Sequence, residues 1–349
     1  MAASSKGSRE ESAAKCAFQT SLKGQKDRRT WLDPPVVGVM PYATAGLEGL
    51  YTQVTRQEPV LDNDTNDFTD ENGVFCPKAN MPLLARRYRF METIGSGVSS
   101  ITICAQDTFR PDQDKVAIKV LNVNYYRLGY QESSSIRRLN KADPDDFSGT
   151  LRLLNIFSFS GHFCMVFELL HPKPLHHYFK KMDNNQEKLR WIRKVTIRLL
   201  QVLGFLQQEN VIHADLKPEN VLCRSDNLSS GIKVIDFGNA IHCVYDELSL
   251  YYDDFELQTL LYRAPEVLFG LPFGLEIDMW SLGCILAELY MGKPLFFALT
   301  KENLLERMVS VLGPLPTNVL QRGKFYQEYS SYTGSCKHRW LLGPSFTQN

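Results

Sequence analysis

Twelve residues limit what this chain can become more than any other stretch: Val211 to Leu222, reading V-I-H-A-D-L-K-P-E-N-V-L. Apolar pairs at either end read as very short buried strands, and the turn between them carries an acid at Asp215, a cation at Lys217 and an amide at Asn220. Such a turn puts three different polar groups on one wall of a cleft. A carboxylate there can accept a hydroxyl proton, an ammonium can neutralise phosphate charge, and an amide oxygen can hold a hard divalent cation. Phosphoryl transfer uses that set of groups.

The chain around it is large enough to supply the rest of a site. At 349 residues and 44% hydrophobic content it can bury a sizeable core, and two lobes or two domains are expected. Basic and acidic residues both number 39, so bulk electrostatics gives no reason to expect direct nucleic-acid binding or a membrane surface as partner. The cysteines (Cys16, Cys76, Cys104, Cys164, Cys223, Cys243, Cys284 and Cys336) are scattered without a Cys-x-x-Cys pair, which reads as free thiols in a reducing compartment. No segment approaches the roughly 18 uninterrupted apolar residues of a spanning helix. The expectation is an intracellular protein, cytoplasmic or nuclear.

Residues 1–84 read as a largely disordered leader, with a solvated basic cluster at Lys23 to Arg29 and an acidic segment at 67–75, D-F-T-D-E-N-G-V-F, suited to folding back onto a neighbouring domain. From Tyr88 the pattern becomes strand, glycine turn, strand: Y-R-F-M-E-T-I, G-S-G-V-S-S, I-T-I-C-A. Gly95 and Gly97 free that backbone to approach a ligand. Next comes the short apolar strand V-A-I-K, ending in Lys119. A helix is predicted over Gln131 to Lys141, with Glu132 in its first turn and Ile136 and Leu139 on one side. Leu153 to Leu170 gives two strands around a Ser-Gly-His turn.

After these strands the chain turns helical. Leu189, Ile192, Thr196, Leu199, Leu203 and Leu206 predict an amphipathic helix that delivers the chain to His213. Gly231 to Ala240 is a strand ending in Asp236, with Gly238 allowing a sharp change of direction. Asp278 to Tyr290 predicts a helix apolar on all sides, a buried pillar. Taken singly, these features have plainer readings: a glycine hairpin, a strand-edge lysine, a solvated glutamate, an Asx turn.

In order and together, G-S-G-V-S-S, V-A-I-K, the helix glutamate, H-A-D-L-K-P-E-N, D-F-G, A-P-E and D-M-W-S-L-G resemble the eukaryotic protein kinases over roughly residues 88–315. The resemblance implies an α+β, bilobal fold. Its small antiparallel N-lobe with one regulatory helix and its hinge would cover 85–170, and a mainly helical C-lobe 171–315. It implies ATP and Mg2+ as cofactors and protein substrates as partners. Position by position, Gly95 and Gly97 would sit in the phosphate-covering loop, with Ile94 and Ser96 as further nucleotide-binding positions. Lys119 would hold the α- and β-phosphates and pair with Glu132. Asp215 would orient the substrate hydroxyl and accept its proton, Lys217 would contact the γ-phosphate, and Asn220 and Asp236 would bind magnesium. Thr102, Ala117 and Leu222 would wall the adenine, with Phe167 as gatekeeper and Glu168 to Leu170 as hinge.

Within that family the chain is similar to the dual-specificity tyrosine-regulated group and its homeodomain-interacting relatives. Ala214 ahead of Asp215, the ending L-Q-T-L-L-Y-R-A-P-E and the acidic segment carry that likeness. Several positions depart from the pattern. Ser100 stands where a third glycine belongs, and Thr102 where a valine does. Asp254 and Glu256 occupy the positions of two tyrosines, Leu260 replaces an arginine, and Tyr251 and Tyr252 remain as acceptors nearby. The last helices of the C-lobe are expected to be missing and 316–349 to be an irregular tail. Glu266 would then depend on Arg339 or another residue for its ion pair, and a partner protein would cover the exposed lobe. Two functions follow: an active serine/threonine kinase, with tyrosine autophosphorylation in the manner of the group, or a kinase-like regulatory scaffold.

Overall fold

The structure is a computed structural model that describes residues 68–110, 115–243 and 257–327. Strands β1 (Tyr88–Ser96), β2 (Ser100–Asp107), β3 (Lys115–Leu121), β4 (Leu153–Phe159) and β5 (His162–Glu168) form one antiparallel sheet in the order β1-β2-β3-β5-β4. Successive side chains of a strand face opposite ways. In β3 that alternation sends Val116, Ile118 and Val120 into a core with Ile103, Ala105 and Tyr88. Ala117 and Lys119 are left on the other face. Register then sets a row across the sheet, with Gly95 opposite Thr102 and Thr102 opposite Lys119.

Helix α1 (Tyr126–Ala142) packs on this sheet and buries Glu132, Ile136 and Leu139. It starts more than a turn ahead of the predicted Gln131, so Glu132 lies in its second turn. Two features hid that start. A 3₁₀ turn over Val123–Tyr125 feeds the helix directly, and Gly129, a helix breaker by propensity, is required by packing. A Cβ at Gly129 would stand 2.6 Å from Leu121 Cδ1 and closer still to the Phe163 ring.

The second lobe is built on α2 (Leu175–Phe179) and α3 (Asn185–Gln208), followed by the short pairs β6 (Val211–Ile212) with β9 (Ile241–His242) and β7 (Val221–Ser225) with β8 (Asn227–Val234). Then come α4 (Pro265–Phe269), α5 (Glu276–Met291), α6 (Lys301–Leu312) and α7 (Thr317–Leu320). Asn184 caps α3, its Oδ1 accepting from the amides of Gln186 and Glu187 at 2.9 and 3.2 Å. The buried stripe of α3 is Val195, Leu199, Val202 and Leu206, while Leu189 is 51% exposed. Leu199 and Leu206 belong to both series, whereas Val195 and Val202 are buried in place of the predicted Thr196 and Leu203 beside them. Helix α5 buries Ile277, Leu282, Ile285 and Leu289 but exposes Met279, Tyr290 and Met291, so the pillar has one wet side.

Two expected boundaries move. Residues 68–84 belong to the folded N-lobe: Phe75 and Leu84 are fully buried in the same core as Tyr88 and Ile103. The segment is locked as a turn, with Asp70 Oδ1 accepting from the amides of Asn72 and Val74 and Gly73 at φ +78°. Few apolar residues mark it in sequence, because it adds two anchors to a core that the strands have already built. At the other end, Leu315, Leu320 and Tyr326 join the C-lobe core, and Phe325 N–H donates to Phe269 O at 3.0 Å, so the lobe continues past 315. The basic cluster, Tyr251, Tyr252, Asp254, Glu256, Arg339, Cys16 and Cys336 lie outside the described residues. The six cysteines within them are free thiols, and among these residues no helix is long and apolar enough to cross a membrane.

Candidate active site

Between the two lobes lies a cleft of about 400 Å³. Its roof is Ile94, Gly95, Ser96, Gly97, Thr102 and Ala117, its back is Lys119, Glu132 and Phe167, its edge is Glu168 and Leu170, and its floor is Asn220, Leu222 and Asp236. Ser100, at the place of the third glycine, lines it too, and Leu151, Pro172, Glu219 and Ile235 do so without having been anticipated. Their contribution comes from register and chain crossing, which carry no local sequence signal.

Lys119 is the centre of the site. Its Nζ donates to both oxygens of Glu132 at 2.8 and 2.9 Å and to Asp236 Oδ1 at 2.8 Å, joining β3, α1 and the segment after β8. Burial works against the Lys119 charge, but Glu132 and Asp236 outweigh it and hold the ammonium above its ordinary value. Burial pushes Glu132 up. Asp236 is also pushed up by burial, yet the Lys119 charge and hydrogen bond bring it down to about 2. The left-handed residue that turns the chain here is Asp236 itself, at φ +63°, in place of the expected Gly238. Gly238 matters for space instead: a Cβ there would lie 3.3 Å from Asp236 Oδ1 and 3.5 Å from Glu132 Oε2.

The stretch from Val211 to Leu222 forms the lower wall. Asp278, buried in α5, accepts from the amides of His213 and Ala214 at 2.7 and 3.0 Å, and Ala214 is held at φ +60°. Asp215 N–H donates to His213 Nδ1 at 3.2 Å, so the His213 proton is on Nε2, donating to Ile235 O at 3.0 Å. The Asp215 carboxylate accepts from Lys217 Nζ at 2.7 Å and from Thr259 Oγ1 and N–H at 2.7 and 3.0 Å. Lys217 also donates to Thr259 Oγ1 at 2.9 Å. Thr259 is the residue that sequence reading missed. It stands 44 positions from Asp215, and no spacing rule links them.

Ala214 sits in an apolar cluster with Ile241, Leu257, Phe273 and Ile277. The place beside Ala214 is thus filled by hydrocarbon. Leu257 belongs to that cluster, and Gln258, at φ +61°, donates its N–H to Ala214 O at 3.0 Å. Glu266 has no ion-pair partner among the described residues, and burial pushes its carboxyl up.

At the hinge, the Glu168 side chain turns away from the cleft and pairs with Lys233, which is fully buried and also donates to both oxygens of Asp146 at 2.7 and 2.8 Å. Beside Asp215, a second cavity of about 510 Å³ is bordered by Lys217, Thr259, Glu219, Tyr262 and Glu288. Glu219 lines both cavities, so the two are neighbours.

The donor set at the floor suits a hard divalent cation. Asn220 spends its Nδ2 on Asp215 O at 2.9 Å, which leaves Oδ1 as an acceptor, and Asp236 gives one oxygen to Lys119 and keeps the other. Among the described residues no group of three or more acidic, histidine or cysteine side chains forms a metal site, so such an ion would need further oxygens from its ligand.

A two-lobed fold with an antiparallel upper sheet, a lysine–glutamate pair from strand to helix and an acid–lysine–asparagine loop below defines a protein kinase. The sequence pattern of the protein kinase domain matches residues 88–329, and the chain belongs to that family. It is 40% identical over 247 residues to serine/threonine-protein kinase ppk15 of Schizosaccharomyces pombe, covering 70% of this chain and 44% of that protein. To human dual specificity tyrosine-phosphorylation-regulated kinase 4 it is 33% identical over 304 residues, covering 86% of this chain and 56% of that one. To serine/threonine-protein kinase ppk5 of Schizosaccharomyces pombe it is 36% identical over 303 residues, 84% of this chain and 35% of that protein. The chain thus spans about a third to just over half of these relatives.

Proposed function

We propose that this chain is an ATP-dependent protein serine/threonine kinase with magnesium as its metal. The observation that carries the reading is that Lys119, Glu132, Asn220 and Asp236 line one cleft, with Asp215 tied to Asn220 through its carbonyl and paired with Lys217 beside the adjoining cavity. The names of the relatives support the same activity.

Chemistry in such a site is positioning plus charge. Lys119, kept fully charged by its two carboxylates, offers an ammonium to phosphate oxygens. Asp215, held from two sides by Lys217 and Thr259, accepts the hydroxyl hydrogen bond of a serine or threonine and turns its oxygen toward the cleft. Lys217 lies 2.7 Å from that carboxylate and serves both it and the transferring phosphoryl charge. Magnesium, when held by Asn220 Oδ1 and Asp236, supplies further neutralisation of phosphate charge. The apolar surfaces of Ala117, Leu222 and Phe167 suit a purine, and the hinge backbone at Glu168 to Leu170 lies along its edge.

Transfer of radiolabelled phosphate from ATP to a protein substrate by the purified chain tests this. Asp215→Asn and Asp236→Asn should each lower the rate about 100-fold or more. Wild-type signal equal to theirs would reject the kinase activity.

A further inference from the structure

The loop between β1 and β2 lies over the cleft, yet its tip has little of its own to hold it there. Val98 is 89% exposed, and within the hairpin Gly97 N–H reaches Ser100 O at 2.9 Å. Among the described residues, one residue holds the tip from outside. Asn122 Nδ2 donates to Val98 O at 2.9 Å, and Asn122 N–H donates to Ser99 O at 2.8 Å. Two consecutive carbonyls at the tip are therefore fixed by the side chain and the main chain of the same asparagine.

We propose that Asn122 is a positioning residue for the phosphate-covering loop, setting how strongly the site holds the phosphates of its nucleotide. The proposal rests on the kinase reading above. Asn122 follows the end of β3 and is 4% exposed, so it is fixed to the strand that carries Lys119. On its far side Val123 N–H donates to Gly73 O at 3.0 Å, which wedges this short connection between the 68–76 turn and the loop. Gly95, Ser96 and Gly97 before that tip and Ser100 after it line the cleft, so fixing the Val98 and Ser99 carbonyls fixes the backbone that covers it.

The other half of the Asn122 amide argues for the same role. Its Oδ1 is buried with no hydrogen-bond partner. Flipping the amide would bring that oxygen against Val98 O, so Nδ2 is the donor. An unpaired buried oxygen is unfavourable, and an alanine or leucine here would avoid it. What an alanine or leucine would lack is the hydrogen bond to the loop.

The test compares wild type with Asn122→Ala, which removes donor and orphan oxygen together, and Asn122→Asp, which keeps the shape and loses the donor. Binding of ATP with magnesium and of adenosine is measured by calorimetry, alongside KM and kcat for transfer. In both variants ATP affinity should fall about three- to tenfold, as expected for one hydrogen bond. Adenosine affinity should stay within twofold, and KM for ATP should rise while kcat changes little. Equal loss of ATP and adenosine binding, or no loss of either, overturns the positioning role. If one variant fails to fold, the other decides by the same ratio. Wild type that binds neither ligand overturns the kinase reading itself, and the proposal with it.

Discussion

At the scale of single residues, the site is defined by how Asp236 and Asp215 are held. Asp236 keeps its proton off down to about 2, against an ordinary value of 3.8, because Lys119 lies 2.8 Å away. A carboxyl depressed in the folded state contributes stability that is present above pH 4 and is lost as pH falls toward 2. Denaturant midpoints measured between pH 5 and pH 2 should therefore fall less steeply in Asp236→Asn than in wild type; parallel curves would contradict the pairing. Asp215 depends on Thr259 for two of its hydrogen bonds, one from the hydroxyl. Thr259→Ala should lower kcat about ten- to a hundredfold with little change in KM for ATP, and Thr259→Ser should recover most of it. The charged residues of the site were legible because each lies in a short motif whose neighbours are fixed. Thr259 was not, since its role exists only once two distant loops meet.

Among the elements, the existence of strands and helices was legible and their edges and faces were not. Alternation in V-A-I-K predicts a strand, and the same alternation puts Lys119 on the cleft face. Helix α3 was recognised by its period, but several series of apolar residues share that period, and only contact with the C-lobe core selects Val195, Leu199, Val202 and Leu206. Leu206→Ala should cost about 2–5 kcal/mol, whereas exposed Leu189→Ala should cost under about 0.5 kcal/mol, both read from urea denaturation. In α1, propensity and packing oppose each other. Gly129→Ala gains about 1 kcal/mol of helix propensity but forces a methyl against Leu121 and Phe163, at about 1–3 kcal/mol. The net should be destabilisation and, because α1 carries Glu132, a weaker Lys119–Glu132 pair with lower activity. A more stable variant would show that the β5 side can yield.

For the molecule as a whole, the question is whether the lobes unfold apart. Their apolar clusters argue that they do not. The larger one runs without a break from Ile136 and Leu139 of α1 and Met165 and Phe167 of β5 to Val195, Leu199, Val234 and Ile285 of the C-lobe. The back of the upper sheet is a separate cluster that includes Phe75 and Leu84 from the turn ahead of β1. Sequence reading recovered the two-lobed plan from motif order and placed that turn outside it, because two buried anchors among acidic and turn-forming residues give no periodicity. Those anchors should nevertheless matter to the whole. Phe75 meets Phe159 and His162 edge-on at centroid distances of 6.1 and 5.3 Å, and His162, kept neutral by burial, accepts from Thr69 Oγ1 at 2.9 Å while donating to Leu121 O. Phe75→Ala removes the centre of that contact and should cost about 3–5 kcal/mol. Since β3 and β5 contribute to both clusters, the loss should lower a single melting transition in calorimetry and not split off an early N-lobe step. Two resolved transitions in Phe75→Ala would mean that the shared strands do not couple the lobes.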